Sequence, residues 1–320
     1  MIILRSGVQI PLPLPNVLKK YQNWKCHMDN DELRSIINIA NIRSGLLKNN
    51  YINSKKKFKN FDYNKKGLPI LIPANEKLFH FDNKDTFRIE ENELLESIYS
   101  HKNIKYVGYV NSFKTKIFMS KFRIKPKYLN VFNKFFKQNL DAKKQIKSLA
   151  KKYKTLGSFQ TRNIPHFGHE RIISMMLERC EHVVINPIVG PKKQGDVKIQ
   201  NLKKIFNTVI RKKFNNKISF IPIYANMFYA GPKEAVHHSY IRESLGFTHF
   251  SIGRDHAGAE NIYLPDQAIK LAHKNKKNFK INLLLHQGSY YCKKCKTAII
   301  IGECSHHKKN FLNISGTELE

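Results

Sequence analysis

The sequence predicts an α/β fold whose larger part is a doubly wound parallel sheet, accompanied by a smaller N-terminal α+β or β-rich domain and a cysteine-rich C-terminal segment. Three observations lead to this prediction. After residue 150, short apolar segments alternate with longer helical patterns. Before residue 150 the chain is rich in Lys and Asn and has few motifs, and three of the five cysteines lie close together near the C-terminus. Strict alternation of strand and helix implies parallel pairing.

The alternating region extends from residue 154 to residue 285. Its predicted strands are Leu156–Gln160, His182–Asn186, Ile218–Ile223, Thr248–Ile252 and Lys280–Leu285. Its predicted helices are Ile172–Cys180, Leu202–Phe214, Lys233–Leu245 and Leu264–His273. Gly246 stands where a glycine commonly ends a helix. In such sheets ligands bind at the carboxyl ends of the strands, so the loops after the strands are the expected site.

Residues 1–150 are predicted to form the smaller domain, and residues 151–320 the larger one. A helical pattern extends from Asp31 to about Lys48, and the apolar runs Leu68–Ile72 and Tyr106–Val110 predict strands. The lysine-rich segment from Asp141 to Tyr153 is predicted to be a solvated linker helix.

The charge of the chain is strongly positive. Lys and Arg number 57 against 24 Asp and Glu, which gives a formal net charge of +33. This excess is compatible with a nucleic-acid partner, but it is spread along the whole chain, which favours a general Lys and Asn bias with only non-specific binding. No apolar run is long enough to span a membrane. Prolines interrupt residues 10–15, which disfavours a signal peptide, so a cytoplasmic location is expected.

The first loop of the alternating region, Phe159–Glu170, concentrates polar side chains. His166 and His169 lie three residues apart, so on a helix they would share a face and bind one ligand together. Pro165 suits the first turn of a helix, and a helix N-terminus attracts phosphate. The preceding segment Gln160–Asn163 supplies neutral donors and one guanidinium that suits a tetrahedral oxyanion. An isolated histidine would more often be a surface residue, but His-x-Gly-His directly after a strand is typical of nucleotidylyltransferases.

Three further loops fall at the same edge of the predicted sheet. They are Asn186–Asp196, which contains Lys193 and Asp196, then Met227–Ala235, and Gly253–Gly258. Glycines in the last loop allow close approach of the backbone to a ligand. Its Arg254 and His256 are able to face phosphate. Their convergence at one edge of the sheet is stronger evidence for a site than any single loop.

The C-terminal cysteines have the spacing of a metal site. Cys292 and Cys295 form a Cys-x-x-Cys pair, and Cys304 is followed closely by His306 and His307. Three thiolates and one imidazole form a common tetrahedral zinc site. The alternative is a set of free buried thiols. The spacing favours structural zinc within residues 290–308, with His306 the first choice over His307 for the fourth ligand.

These motifs resemble those of the ATP sulfurylase family. Gln160–Glu170 resembles the Q-T-R-N-P-x-H-x-x-H-E signature, and Pro187–Asp196 resembles P-x-V-G-x-x-K-x-G-D. Tyr229–Ala235 is similar to Y-A-G-P-R-E-A. Thr248–Gly258 is similar to T-H-F-x-x-G-R-D-H-A-G, and residues 314–317 match the stretch I-S-G-T. The five motifs occur in family order over about residues 155–320. The family's N-terminal domain is PUA-like, and residues 68–135 resemble it only weakly.

The resemblance implies sulfate adenylyltransferase activity: sulfate attacks the α-phosphorus of ATP in line and gives adenylyl sulfate and pyrophosphate. It implies Mg²⁺ arriving with ATP, a homo-oligomer and, as in some members, a structural zinc. The implied catalytic residues are Thr161, Arg162, Asn163, His166 and His169. The implied sulfate ligands are Gln160, Arg162 and Ala257. The implied ATP-binding residues are Gln160, Arg162, Asn163, His166, His169, Gly253, Arg254, Asp255, His256 and Ile314.

Some positions depart from the family pattern. Phe228 replaces a common Arg and Lys233 replaces another, and these changes are expected to weaken phosphate contacts or alter the preferred anion. Two alternative functions stay open. One is a nucleotidylyltransferase with a different acceptor, and the other is an inactive, basic, zinc-bearing RNA-binding protein.

Overall fold

The computed structural model describes residues 28–47, 54–191 and 197–314, together with one short strand pair near the N-terminus. The helices of the first half are α1 Asn30–Arg43, α2 Lys55–Lys59, α3 Tyr63–Lys66, α4 Glu91–Leu94, α5 Val107–Ser112 and α6 Leu129–Lys152. The strands are β1 Ile2–Ile3, β2 Gln9–Ile10, β3 Phe79–His80, β4 Thr86–Arg88, β5 Ile117–Met119 and β6 Arg123–Ile124. They form three antiparallel pairs, β1 with β2, β3 with β6 and β4 with β5.

The first predicted helix is confirmed as α1. The Asp29 side chain caps its N-terminus, and Glu32 completes a capping box by accepting from the Asp29 backbone N–H. The helix ends earlier than the pattern suggested, because Gly45 adopts φ +68° two residues after Arg43. Lys48, the predicted end, lies outside the described residues.

Two predicted strands of the first half are wrong. Tyr106–Val110 lies across the start of α5, since a run of five apolar residues does not distinguish a buried helical turn from a buried strand. Leu68–Ile72 is buried but forms no regular strand. Both of its ends reach neighbours: the Leu68 N–H donates to His237 Nδ1 at 3.1 Å, and the Ile72 carbonyl accepts from the Met119 N–H at 2.9 Å.

The lysine-rich segment is helical, as predicted, but the prediction that it is a solvated linker is wrong. Except for Tyr153, which follows the helix, this segment is the second half of α6, which begins twelve residues before Asp141 at Leu129. Ala142 and Ile146 are buried in the core, and α6 packs along α1. The fully buried Asn139 donates both to Asn41 Oδ1 and to the Tyr224 carbonyl, so α6 joins the two halves by packing and by hydrogen bonds.

The parallel sheet predicted for the second half is present. Its strands are β7 Leu156–Phe159, β8 His182–Ile185, β10 Ile218–Phe220, β12 His249–Gly253 and β13 Asn282–His286. They lie in the order β10-β8-β7-β12-β13, and every pairing is parallel. The predicted strand Ile218–Ile223 is divided, because its end forms β11 Ile223–Tyr224 and pairs with β9 Ile188–Val189 in a separate two-stranded sheet.

The predicted helices between these strands are also present. They are α7 Phe167–Leu177, α8 Ile199–Ile205 continuing through a π-helical turn into α9 Arg211–Lys213, α10 Gly231–Leu245, and α11 Gln267–Lys274. Gly246 has φ +98° and ends α10 as predicted. Pro165 does not occupy the first turn of α7 as expected. His166 is the N-cap residue, so the proline lies outside the helix.

A small antiparallel sheet follows the parallel one. It consists of β14 Ser289–Cys292, β15 Thr297–Ile300 and β16 Phe311–Asn313 in the order β15-β14-β16, and it packs against α7. The principal apolar cluster includes residues from both sides of position 150, for example Ile36, Ile146 and Phe250. Within the described residues, no helix is long and apolar enough to cross a membrane.

The strand order determines where a ligand site lies. From the central β7 the chain proceeds to β8 and β10 on one side, then crosses to β12 and β13 on the other. Loops leaving β7 on one side and β12 on the other therefore diverge at their carboxyl ends, and such a divergence opens a crevice.

Candidate active site

A cleft of about 310 Å³ opens at the carboxyl ends of β7, β12 and β13. All twelve residues that the sequence analysis assigned to ATP, sulfate or catalysis line this cleft. They are Gln160, Thr161, Arg162, Asn163, His166, His169, Gly253, Arg254, Asp255, His256, Ala257 and Ile314. The fold therefore brings together three segments that lie far apart in the sequence.

The segment after β7 forms one wall of the cleft. Thr161 is buried, and its Oγ1 accepts from the Asn163 N–H at 3.2 Å, which closes a tight turn. The Arg162 guanidinium lies 5.4 Å from the centre of the Tyr229 ring, and its Nη2 donates to the Gly258 carbonyl at 3.4 Å. The turn thus presents a cation that is stacked on an aromatic ring.

His166 and His169 lie side by side at the start of α7. Their ring centres are 3.8 Å apart and the rings are nearly parallel, as the three-residue spacing predicted. His166 Nδ1 accepts from the Gly168 N–H at 3.1 Å. In a neutral His166 ring the proton is therefore on Nε2, and the ring keeps one N–H donor for a ligand.

Both histidines are held in the neutral form. Burial lowers the pKa of His166 to about 4. Burial, and next the neighbouring His166, hold the pKa of His169 well below its ordinary value, while a hydrogen bond with the backbone of Ile164 opposes the shift. Two unpaired imidazolium ions at this distance would repel each other in a site shielded from water. Near neutral pH these rings offer dipoles and N–H donors, not full charges.

The loop after β12 forms the opposite wall. Arg254 lies over the Tyr290 ring at 5.0 Å, contacts the Tyr290 hydroxyl, and donates from Nη2 to Asn313 Oδ1 at 2.7 Å. Asp255 lies 3.3 Å from Arg254 Nε. Burial raises the pKa of the Asp255 carboxyl, and Arg254 partly opposes this. Within the described residues Asp255 is the only carboxylate of the lining, so the cleft contains no cage of acidic residues for a cation.

His256 in this loop is connected to a buried chain of polar side chains. Its Nε2 lies 3.0 Å from His238 Nδ1, and His238 Nε2 lies 3.3 Å from Glu234 Oε1. Glu234 also accepts from the backbone N–H groups of Phe228 and Ala230, each at 2.9 Å. Burial raises the pKa of Glu234 to about 7. One carboxylate on α10 therefore supports both the Phe228–Ala230 backbone and the cleft histidine.

Several lining residues had no role assigned from the sequence. They are Phe159, Ile172, Met227, Ser251, His286, Gly288 and Ser289, of which Phe159, Met227 and Ser251 lie within the loops or motifs already singled out. The buried His286 ends β13, and its Nε2 pairs with Ser251 Oγ at 2.9 Å. The rule used for the other strands, to inspect each carboxyl end, would have found His286 if it had been applied to the fifth strand.

The two substitutions of family arginines lie away from the cleft lining. Phe228 is buried and packs against Phe113. Lys233 Nζ donates to the carbonyls of Glu96 and Ser97, and burial lowers its pKa to about 8. The Lys233 ammonium group is directed at these carbonyls and not into the cleft. In the part of the chain that the structure describes, there is therefore no contact by which the change from Arg to Lys would weaken phosphate binding. Lys193, Asp196 and residues 315–317 lie outside the described residues.

The C-terminal cluster brings its four predicted ligands together. The ligand atoms of Cys292, Cys295, Cys304 and His306 all lie within 4.8 Å of one another. His306 Nδ1 is 3.3 Å from Cys295 Sγ, and the Cys292 and Cys304 sulfurs are 3.9 Å apart. A tetrahedral zinc with bonds of about 2.3 Å places two sulfurs about 3.8 Å apart. The geometry therefore fits zinc, and His306 is the nearer histidine, whereas His307 instead caps a short helical turn.

Comparison with known proteins identifies the family. The ATP-sulfurylase family model matches residues 137–320, which is more than half of the chain. The chain belongs to the ATP-sulfurylase family.

Relatives named sulfate adenylyltransferase support this assignment. The protein of Ignicoccus hospitalis is 38% identical over 170 residues, which are 53% of this chain and 44% of the relative. That of Pyrococcus abyssi is 30% identical over 74% of this chain and 62% of the relative. That of Persephonella marina is 27% identical over 91% of this chain and 77% of the relative. The alignments with several of these relatives span about half of the relative's length.

One solved structure resembles the fold. The hexameric APS kinase from Thiobacillus denitrificans superposes with a TM-score of 0.53 over 91% of this chain and 57% of that chain, at 10% identity. At this identity the likeness concerns the fold alone.

Proposed function

We propose that the protein is a sulfate adenylyltransferase that transfers AMP from ATP to sulfate and releases pyrophosphate. One observation carries the proposal: twelve residues selected from three separate motifs line a single cleft at the strand-order reversal. Membership of the ATP-sulfurylase family and the names of its relatives support it. The chain is accordingly proposed to be doubly wound and nucleotidylyltransferase-like in residues 151–320, with a divergent PUA-like domain in residues 1–150.

The proposed roles follow from charge and position. Gln160, Arg162 and Ala257 hold sulfate, and the Arg162 guanidinium matches the geometry of a tetrahedral oxyanion. Thr161 and Asn163 stabilise the reacting centre. His166 and His169, at the N-terminus of α7, face the β- and γ-phosphates, where an N–H donor and the helix dipole stabilise negative charge.

The remaining cleft residues are proposed to hold the nucleotide. Gly253, Arg254, Asp255 and His256 form one side of the ATP site, and Ile314 another part of it. No side chain of the lining needs to form a covalent bond, because positioning and charge stabilisation account for most of the catalysis in such transfers.

Two metals belong to the proposal. Mg²⁺ is proposed to enter with ATP, since the described lining offers one carboxylate and phosphate oxygens supply the other ligands that Mg²⁺ prefers. Zinc is proposed for the Cys292, Cys295, Cys304 and His306 cluster as a structural ion with four protein ligands. A homo-oligomer is proposed from the family resemblance.

The decisive experiment is exchange of labelled pyrophosphate into ATP, measured with and without sulfate. Exchange that depends on sulfate is expected. Exchange that does not depend on sulfate but requires another acceptor would favour a nucleotidylyltransferase with a different acceptor. No exchange, together with tight RNA binding that persists at physiological salt, would favour the RNA-binding alternative over the weak, salt-sensitive binding expected from dispersed lysines.

A further inference from the structure

A single short strand connects the cysteine cluster to the cleft. β14 begins at Ser289, which lines the cleft, and ends at Cys292, which belongs to the cluster. Tyr290 lies between them, two residues from Cys292, so the two side chains share a face of the strand. The four residues of β14 therefore connect the cluster directly to the cleft.

The small sheet holds Arg254 at three points. Nη1 contacts the Tyr290 hydroxyl, the guanidinium lies over the Tyr290 ring, and Nη2 donates to Asn313 Oδ1. Tyr290 on β14 and Asn313 on β16 are direct partners in the register of the sheet. The two strands thus form a clamp of two adjacent side chains. Together with Asp255 at Nε, they engage three of the five N–H donors of the guanidinium, which leaves two for a ligand.

The same strand also lies against the first turn of α7. A Cβ atom added to Gly168 would lie 2.1 Å from Ser289 Oγ, so only glycine allows this approach. Gly168 also donates its N–H to His166. Hence β14 contacts both walls of the cleft, through Gly168 on one side and through Arg254 on the other.

The cluster ties the strands of this sheet together. Cys292 ends β14, Cys295 lies in the turn to β15, and Cys304 and His306 lie in the connection from β15 to β16. Cys292 pairs with Thr297 on one side and with Phe311 on the other. A metal bound to all four ligands would close this connection, and a three-stranded sheet of this size otherwise has little core of its own.

We propose that Tyr290 and Asn313 are positioning residues for Arg254, and that metal binding at the cluster keeps this clamp in place and so sets the affinity for ATP. The inference rests on the proposed function for the identity of the nucleotide. An arginine that is already ordered loses less side-chain entropy when it meets a phosphate, so its pre-arrangement strengthens binding.

The test uses the zinc-loaded full chain and the double variant Tyr290→Phe/Asn313→Leu. The variant keeps the ring beneath Arg254 but removes both hydrogen-bond partners. Calorimetric Kd for ATP is expected to rise by up to about 10-fold, the scale of the entropy cost of ordering one flexible side chain on binding, with zinc content and kcat nearly unchanged. Tyr291→Phe, on the same strand but paired with Leu312, is the matched control and should bind ATP as the wild type does.

A second measurement addresses the metal. Chelation of the wild type should raise the Kd for ATP by a similar factor, whereas chelation of the double variant should add little, because the clamp is already lost. If the metal-free chain unfolds, the Kd for ATP of the zinc-loaded double variant is the measurement that tests the inference. An unchanged Kd for ATP in the zinc-loaded double variant would overturn the inference while leaving the proposed function intact. A wild-type chain that binds ATP but shows no sulfate-dependent exchange would instead overturn the proposed function.

Discussion

The two walls of the cleft stabilise anions in different ways. The helix wall, residues 160–169, offers His166 and His169 as neutral rings that the start of α7 orients, beside the single cation Arg162. The loop wall, residues 253–258, offers the permanent charge of Arg254, which a separate small sheet holds. Neutral donors respond to charge that develops in a reaction, whereas a fixed cation attracts the substrate before the reaction begins.

The largest effect is expected on the helix wall. His166→Ala or His169→Ala should lower kcat by roughly 10²-fold or more, the scale for removal of one preorganised donor. KM for ATP should change much less, because these contacts strengthen as pyrophosphate leaves. Pyrophosphate exchange kinetics provide the measurement. His273→Ala, on the exposed surface of α11, is the matched control. Near-normal exchange in both folded variants would contradict the adenylyltransferase mechanism proposed here.

A smaller effect is expected at the one cation of the helix wall. Arg162→Ala should raise KM for sulfate by roughly 10-fold or more, since it removes a planar donor pair suited to an oxyanion. The Kd for ATP should change by less than about 3-fold, because Arg254 remains on the other wall. Steady-state kinetics at varied sulfate, with calorimetry for ATP, separate the two effects. An equal loss for both ligands would show that Arg162 does not discriminate between them.

The sequence predicted the region of the site better than the N-terminal half for a physical reason. Alternating β and α segments have few ways to pack, so their order alone places the loops at residues 160–169 and 253–258 together. The N-terminal half contains short segments whose conformation depends on distant partners. Tyr106, for example, lies against the Tyr229 carbonyl, a contact that no local pattern around Tyr106–Val110 reveals.

Two features of the site itself could not be predicted from local sequence. The clamp on Arg254 requires Tyr290 and Asn313 to be adjacent across two strands, which depends on the register of a sheet. The contact between His238 and His256 requires α10 to pack beneath the β12 loop. Spacing along the chain predicts groups that share one helix or one turn, such as His166 with His169 or Cys292 with Cys295.

The third prediction concerns stability on the side of the loop wall. Cys295→Ala should abolish stoichiometric zinc and reduce stability by about 2 kcal/mol or more, which for a chain of this length corresponds to a Tm lower by about 3 °C or more. Cys180→Ala is the control for metal content, because Cys180 is buried just after the end of α7 and lies outside the cluster. Elemental analysis and thermal unfolding measure the two quantities. Zinc bound at one ion per chain in Cys295→Ala would exclude this ligand.

The smallest effect is expected in the pH dependence of stability. Burial lowers the pKa of His166, His182 and His286 to about 4 each. The unfolded chain, with an ordinary histidine pKa near 6.5, therefore binds more protons than the folded chain between about pH 4 and 6.5. The contribution of these neutral histidines to the free energy of unfolding is therefore fully present above about pH 6.5 and decreases as the pH falls towards 4. Glu234, whose pKa burial raises to about 7, acts in the opposite direction between about pH 4.5 and 7.

Of these three histidines, only His182 lies outside the cleft lining, so its contribution to stability can be tested without changing the site. It is buried on β8, where its ring stacks on Tyr153 and its Nε2 pairs with Ser219 Oγ at 2.8 Å. In His182→Gln the dependence of unfolding free energy on pH should become shallower by up to one proton, or about 1.4 kcal/mol per pH unit, between about pH 4 and 6.5. Urea unfolding at several pH values measures this slope. An unchanged slope would mean that His182 takes up its proton in the folded chain as readily as in the unfolded one, so its burial on β8 would not keep it neutral.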